Sequence, residues 1–198
     1  MPVGKRLFDI TVSSTGLAVI SPFLTFIGLA ILLFDGSPVL FRQRRVGLHG
    51  EIFSIYKFRT MIRDASRVGK SLTIGADSRI TPLGHWLRRY KLDELPQLIN
   101  VLKGEMSLVG PRPEVPEYVS LYTSDQRRVL ELIPGITDPA SIAYSNESDL
   151  LVSSNDPESE YINKIMPEKI RLNLEYSARA NVWNDMAVIL STFEKVLR

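Results

Sequence analysis

Asp93 and Glu94 are adjacent carboxylates at the predicted start of a helix, in the segment Asp93-Glu94-Leu95-Pro96. At a helix N-cap a carboxylate faces unpaired backbone N–H groups and the positive end of the helix dipole. We therefore expect Asp93 to have a lowered pKa and to be ionised at neutral pH. The same position suits a bound phosphate group. A plain capping role, with Glu94 adding favourable charge to the first turn, is the simpler explanation of the pair taken alone.

Several basic residues accompany this pair at the ends of neighbouring predicted elements. They are Lys57, Arg59, Arg88, Arg89 and Arg112. Arginine binds phosphate oxygens in bidentate fashion, and lysine supplies a point charge. Two carboxylates among several cations are what a magnesium-dependent phosphoryl-transfer site requires. Because surface arginines are common, the residue types indicate such a site without requiring it.

Composition excludes other kinds of site. The chain has no cysteine, so disulfides, thiolate zinc sites and thiol catalysis are ruled out. His49 and His85 lie far apart, without the spacing of metal ligands. The net charge of +2 arises from 24 basic and 22 acidic residues, and we expect no nucleic-acid partner because no concentrated basic stripe is present.

The elements that position these residues follow from turn and capping signals. Two strands, 39–43 and 51–56, flank the turn residues 47–50 and predict a β-hairpin. Thr81-Pro82 begins a helix that runs to about Tyr90, and a second helix runs from Asp93 to Lys103-Gly104. Further helices are predicted over 124–132, 158–176 with an interruption at Pro167, and 183–197. On the last helix an apolar stripe is expected to face the core rather than a membrane surface. It consists of Trp183, Met186, Leu190, Phe193 and Leu197.

The N-terminal segment from Ile10 to Phe34 contains no charged residue, a run of 25. As a straight helix it would measure about 37 Å, which is enough to cross a hydrocarbon core of about 30 Å. A cleaved signal peptide is disfavoured by the length and by the lack of a clear cleavage site. A spanning anchor and a re-entrant helix remain as alternatives.

Two features favour re-entry. Pro22 follows Ser21 in the middle of the run, and proline cannot donate to the carbonyl of Ala18, so the helix must bend or break. The Ser21 hydroxyl is well placed to satisfy the freed carbonyl. Basic residues lie on both flanks of the run, and positive charge marks the cytoplasmic side of a membrane segment. We expect residues 1–35 to form a re-entrant membrane helix and residues 36–198 a cytoplasmic catalytic domain.

Seven sequence blocks resemble, in order, the motifs of the bacterial sugar transferase family, whose members are monotopic polyprenyl-phosphate phosphoglycosyl transferases. The blocks are KRLFD (5–9), SP (21–22), YKFRTM (56–61), LDELPQL (92–98), NVLKGEMS (100–107), GPRP (110–113) and PGIT (134–137). The resemblance covers about two-thirds of the chain, from Lys5 to Thr137. It implies an α+β, mostly helical fold. A small catalytic body with a β-hairpin would dock on the membrane through the re-entrant helix and amphipathic helices.

The resemblance also implies an activity and its residues. Asp93 would attack the β-phosphate of a UDP-sugar, giving a phospho-sugar aspartyl intermediate and UMP. Glu94 would support Mg²⁺ or deprotonate the acceptor, and the resemblance implies that both carboxylates, Asp93 and Glu94, contact the metal. Phosphate oxygens would be held by Lys57, Arg59, Arg88 and Arg112. The acceptor would be polyprenyl (undecaprenyl) phosphate in the bacterial inner membrane, in the first membrane step of glycoconjugate synthesis.

One segment departs from the family pattern. Many relatives continue the PGIT block with glycine and a QVNGR stretch, whereas this chain has Asp138–Asn146 there. We expect this region to affect the choice of sugar and not the chemistry. The chain begins at the apolar helix, which suggests a minimal catalytic unit, with a homo-oligomer left open. The alternative is an inactive membrane-anchored scaffold that binds a nucleotide or a phospholipid.

Overall fold

The computed structural model describes residues 2–65, 75 and 77–197. The polar composition of residues 63–77 predicts a mostly exposed loop with some helix, and this stretch lies largely outside the described residues. The described part is mostly helical, with a β-hairpin and a second short strand pair. This confirms the predicted fold class in its coarse form.

Helix α1 spans Val3–Phe34 and passes through Pro22 without interruption. The Ser21 hydroxyl donates to the carbonyl of Ala18 at 2.9 Å, which is the carbonyl that Pro22 leaves without its usual donor. This contact was expected from the sequence. Because the freed carbonyl is satisfied in this way, the helix does not break at Pro22, and the predicted bend and re-entry remain predictions.

The predicted hairpin is confirmed, with its first strand extending three residues further toward the turn and its second strand two residues further toward the open end. Strands β1 (Leu40–Val46) and β2 (Ile52–Phe58) pair antiparallel, with a short 3₁₀ turn over Leu48–Gly50. The pairing sets Phe41 opposite Lys57 and Leu40 opposite Phe58. Alternation along β2 therefore places Lys57 on the opposite face from Phe58.

The next elements match the predicted capping signals. In α2 (Pro82–Arg89) the Thr81 hydroxyl accepts from the Gly84 amide at 3.0 Å, as expected of an N-cap. A 3₁₀ helix over Leu92–Gln97 continues into α3 (Leu98–Lys103), which ends at Gly104 with φ 86°. Only glycine adopts that left-handed conformation without cost, so the Lys103-Gly104 stop is confirmed.

A parallel strand pair was not predicted. Strands β3 (Ser107–Val109) and β4 (Gly135–Thr137) join two of the family blocks. A Cβ on Gly110 would lie 2.3 Å from the carbonyl oxygen of Ile133, so the two chains can approach only with glycine here. This close approach fixes the start of the connector that carries Arg112.

Short helices and one long pair complete the described chain. They are α4 (Pro116–Val119), a 3₁₀ helix (Gln126–Glu131), α5 (Pro139–Ala143), α6 (Glu147–Val152), α7 (Pro157–Glu160), a π turn (Tyr161–Ile165), α8 (Met166–Ser177) and α9 (Val182–Leu197). Pro167 lies in the first turn of α8, directly after the π turn, so the predicted interruption of α-helical geometry falls just before the proline.

The apolar stripe of α9 does not face the core, so that prediction is wrong. Trp183 is 78% exposed and Leu190 65%, while the buried side of the helix carries Asp185 and Val188. Tyr176 and Lys5 both donate hydrogen bonds to Asp185. The core-facing side of α9, where we expected apolar residues, therefore includes a buried acidic residue. The membrane-surface alternative for this stripe fits the exposed side chains.

Helix α1 contacts the body near both of its ends. Near the N-terminus, Arg6 donates to the last carbonyls of α3, at 2.6 Å to Val101 and 2.9 Å to Leu102. Near the C-terminus, Ile27 and Ile31 are buried against Phe58 and Leu87. The helix therefore lies along the body, while its outer side remains apolar and exposed.

Candidate functional site

Asp93 lies inside the 3₁₀ helix and is not its N-cap. That position belongs to Lys91, which has φ 53°. The left-handed residue turns the chain sharply after α2 and places both carboxylates of the pair in the first turn, where Asp93 is 6% exposed and Glu94 8%. The expected N-cap geometry is thus wrong, although the carboxylates still lie at a helix start.

Asp93 has one carboxylate oxygen without a protein partner. Its Oδ1 is buried and accepts no hydrogen bond from any described residue. Burial raises the pKa of Asp93, and the neighbouring Glu94 raises it further, against the opposing effect of Lys57 and Arg88. The lowered pKa that we expected from an N-cap is therefore wrong, because the chain supplies desolvation in place of capping amides.

Glu94, by contrast, is fully engaged by two cations. Lys57 Nζ lies 2.9 Å from Oε1, Arg112 Nη1 lies 2.9 Å from Oε2, and Arg112 Nη2 also donates to Oε1. Although burial opposes ionisation, Arg112 and Lys57 hold the pKa of Glu94 well below its usual range. In return Glu94 raises the pKa of Arg112.

Lys57 has a pKa close to neutrality. Burial lowers it to about 8, even though Glu94 favours the charged ammonium. Phe41 lies opposite Lys57 in the hairpin, and both residues line the same cavity. The charge of this amine is therefore sensitive to pH in the range where enzymes are assayed.

Arg88 and Arg59 take different positions. Arg88 Nε donates to the Thr60 hydroxyl at 2.9 Å, and burial lowers the pKa of Arg88 while Asp93 opposes that shift. Arg59 donates from Nη2 to the carbonyls of Asp35 and Gly36 at 2.6 and 2.5 Å. Arg59 thus ties the end of α1 to the hairpin, while its Nε and Nη1 have no protein partner.

These residues line one cavity of about 1200 Å³. The structure brings together on its wall Lys57, Arg59, Arg88, Arg89, Asp93, Glu94 and Arg112. Ser21 and Pro22 are absent from this wall and lie on the exposed side of α1. The volume exceeds that of most drug-sized ligand pockets, so the cavity can hold a large nucleotide.

The cavity wall also contains a polar group that sequence reasoning missed. Arg45 Nη1 lies 3.3 Å from Glu114 Oε1 and 3.0 Å from the carbonyl of Pro113, and Tyr161 donates to Glu114 Oε2. Asn173, 6% exposed, lies on the same wall, and its amide has no hydrogen bond among those found in the described residues. Glu114 follows the GPRP block by one residue, but nothing in the sequence connects it to Tyr161.

The small number of neighbouring acidic residues limits how many protein ligands a metal ion could have here. No group of three or more histidine and acidic side chains converges on one point among the described residues. Asp93 and Glu94 would therefore share a metal ion with substrate oxygens and water.

Comparison with known proteins identifies a family that the chain resembles along its length. A family profile described as bacterial sugar transferase matches residues 2–198. The "Uncharacterized sugar transferase EpsL" of Bacillus subtilis (strain 168) is 38% identical, over 98% of this chain and 87% of its own length.

Two longer relatives are named for an activity. "Undecaprenyl-phosphate glucose phosphotransferase" of Komagataeibacter xylinus is 38% identical over 96% of this chain, and "Undecaprenyl-phosphate galactose phosphotransferase" of Salmonella typhimurium is 34% identical over 98%. This chain spans 35% and 40% of their respective lengths. On the profile and these identities, the chain belongs to the bacterial sugar transferase family.

Proposed function

We propose that this chain is a phosphoglycosyl transferase that moves a phospho-sugar from a UDP-sugar to polyprenyl phosphate and releases UMP. The proposal rests on the different surroundings of Asp93 and Glu94. Asp93 has a buried oxygen without a partner, while Glu94 is neutralised by Lys57 and Arg112 on the same cavity wall. Undecaprenyl phosphate is the proposed acceptor, in line with the names of the two longer relatives.

The proposed reaction has two displacements at one phosphorus atom. A carboxylate oxygen of Asp93 attacks the β-phosphorus of the donor, the bond to the bridging oxygen breaks, and UMP leaves. A phosphate oxygen of the acceptor then attacks the same phosphorus, and the bond to Asp93 breaks. The products are a polyprenyl diphosphate sugar and the free carboxylate. Covalent catalysis divides one difficult transfer into two easier steps.

The cations have separate tasks in this scheme. Lys57 and Arg112 are already held by Glu94, so they are preorganised to stabilise negative charge on the transferred phosphoryl group without a costly rearrangement. Arg88, fixed by Thr60, supplies a further guanidinium beside Asp93. Arg59 would bind phosphate oxygens through Nε and Nη1, which have no hydrogen-bond partner among the described residues.

Magnesium fits this acidic pair, with Asp93 contributing more than Glu94. Oδ1 of Asp93 accepts no hydrogen bond from a described residue, whereas both oxygens of Glu94 accept hydrogen bonds from cations. Mg²⁺ commonly binds one or two carboxylates together with substrate phosphates and several waters. When bound, the ion would neutralise charge on the donor diphosphate.

The membrane arrangement that we propose is monotopic, on the cytoplasmic face of the inner membrane. Within the described residues, α1 is the one helix long and apolar enough to cross a bilayer. However, the body touches α1 near both ends, through Arg6 and Asp9 at one end and Asp35 at the other. A spanning helix would carry these polar body contacts into hydrocarbon, which supports a helix that enters and leaves on one face. The exposed stripe of α9 offers a second apolar surface for the same membrane.

Release of UMP tests this proposal. The purified protein, Mg²⁺ and polyprenyl phosphate are incubated with a panel of UDP-sugars, and UMP is measured. We expect release with at least one donor. We also expect a loss of at least about 10³-fold for Asp93→Asn and no loss for Asp125→Asn, which alters an exposed aspartate. If no donor yields UMP, the scaffold alternative, which binds a nucleotide or phospholipid without turnover, is favoured.

A further inference from the structure

We propose that the edge of α2 formed by Trp86, Arg89 and Tyr90 is the site where the isoprenoid acceptor lies when its phosphate reaches Asp93. The inference rests on the proposed function and extends it, because it assigns the acceptor lipid to one side of the cavity. Nothing in the family blocks includes these three residues.

The position of α2 between the apolar helix and the cavity carries the argument. On one side Leu83 and Leu87 pack against Ile27 and Ile31 of α1. On the other side His85, Arg88 and Arg89 line the reaction cavity. This edge therefore connects the lipid side of α1 with the cavity that contains Asp93.

Trp86 occupies the intermediate position on the helix. Leu83, Trp86 and Arg89 follow at intervals of three residues, so they form one ridge from the side facing α1 to the side facing the cavity. Trp86 is 47% exposed and meets Tyr90 edge to face, with ring centroids 5.6 Å apart. Tryptophan and tyrosine have an apolar ring and a polar end, which suits the boundary between lipid and water.

The charges on this edge are complementary to a lipid phosphate. The guanidinium of Arg89 lies 5.7 Å from the centre of the Tyr90 ring, and Lys91 is exposed one residue later. No ion pair with a described residue engages either cation. An isoprenoid phosphate combines an apolar chain for the two rings with an anion for these cations.

Two parts of the cavity wall thereby suit different substrates. Arg45, Glu114, Tyr161 and Asn173 form a polar part that suits the hydroxyl and amide groups of a nucleotide sugar. The part at α2 adjoins the membrane helix. We expect the water-soluble donor to occupy the first part and the lipid acceptor the second, in successive steps.

The test separates the two half-reactions in detergent solution. Formation of the phospho-sugar adduct with donor alone measures the first step, and turnover against increasing undecaprenyl phosphate gives KM for the acceptor. For Trp86→Ala and for Tyr90→Ala we expect the acceptor KM to rise about tenfold, because burial of an aromatic ring on a lipid chain is lost. Adduct formation and the KM for donor should stay within about twofold of the wild type.

Controls make the result specific. Trp86→Leu retains apolar bulk and should raise the acceptor KM less than Trp86→Ala. Leu121→Ala shortens an exposed apolar side chain of the body, away from the cavity, and should leave the acceptor KM unchanged.

An unchanged acceptor KM in both alanine variants would overturn the assignment. An equal loss in adduct formation, or an equal effect of Leu121→Ala, would overturn it as well. If the wild-type protein itself forms no adduct and transfers no sugar, the proposed function fails, which is a different outcome from failure of this site.

Discussion

At the scale of single residues, Asp93 and Glu94 are neighbours in the chain with opposite surroundings. Both oxygens of Glu94 accept hydrogen bonds from cations, whereas Oδ1 of Asp93 accepts none from the described residues. A nucleophile needs a lone pair that is not engaged by a hydrogen bond or an ion pair, and of these two residues Asp93 provides it. Glu94 is better suited to hold Lys57 and Arg112 in place and to set the pKa of its neighbours.

Replacement of Glu94 tests that assignment. Glu94→Gln removes a negative charge that raises the pKa of both Asp93 and Lys57. Both pKa values should therefore fall, and the whole pH profile of kcat/KM should move to lower pH. We also expect a loss of about 10²–10³-fold in kcat/KM, as for removal of one preorganised electrostatic group. Glu131→Gln, at an exposed position, is the matched control. A reduced rate with an unshifted profile would contradict this role.

The pH dependence of the wild-type protein follows from Lys57. Its pKa of about 8 means that the ammonium is present below this pH and is lost above it. We expect kcat/KM, which reports the free enzyme, to fall above about pH 8. In Lys57→Arg the guanidinium remains charged, so the alkaline limb should shift upward even if the rate is lower. An alkaline limb that stays near pH 8 in this variant would show that another group titrates there.

Residue types predicted this site better than local geometry did. The acidic pair and all five basic residues were chosen from sequence, and the cavity wall includes every one of them. The sign of the Asp93 pKa shift was wrong because it assumed an N-cap, whereas Lys91 takes that place with positive φ. A left-handed lysine has no sequence signal comparable to glycine.

At the scale of elements, the sequence predicted the extents of α1 and α9 closely. It was wrong about which side of α9 is buried and about a break in α1 at Pro22. Periodicity placed an apolar stripe on α9 but could not tell a core-facing stripe from a lipid-facing one. The buried side of α9 carries Asp185, which is satisfied by Lys5 and Tyr176 from distant parts of the chain. Such partners cannot be found by a pattern within one helix.

The topology of α1 gives the prediction at this scale. We expect both ends of the helix to lie in the cytoplasm. Pro2→Cys introduces a thiol at the N-terminus of a chain without cysteine, and a membrane-impermeant thiol reagent is applied to intact cells. No labelling is expected until the cells are opened. Ser124→Cys, at an exposed position on the body, is the matched control and should behave in the same way.

Labelling of Pro2→Cys from outside would contradict the monotopic arrangement. Replacement of Ser21 and Pro22 by alanine should move part of the population to a spanning form with lower activity. The Ser21 hydroxyl donates a hydrogen bond to the carbonyl of Ala18, and the helix is continuous through Pro22. The double variant therefore tests whether this pair determines the topology. If the double variant keeps its topology, the contacts of the body at both ends of α1 and the basic flanks determine the arrangement.

At the scale of the whole molecule, the site depends on contacts between distant segments. Lys57 on the hairpin, Glu94 on the 3₁₀ helix and Arg112 on the connector meet through ion pairs over 18 and 37 residues of separation. The family blocks located these segments, and the strand pair β3–β4 brings the connector into place. The polar group of Glu114 and Tyr161 on the cavity wall was not predicted. It depends on a contact across 47 residues, and neither residue lies in a family sequence block.

The central claim is that Asp93 becomes covalently phosphorylated by the donor, and intact-protein mass spectrometry tests it directly. The protein is incubated with Mg²⁺ and the UDP-sugar identified by UMP release, without lipid acceptor. We predict a mass increase of one phospho-sugar, located on Asp93 by peptide mapping and lost when polyprenyl phosphate is added. Asp93→Asn should show no increase, and Asp125→Asn should show the full one. Turnover without any adduct, together with intersecting rather than parallel kinetic lines, would contradict the account and indicate direct transfer in a ternary complex.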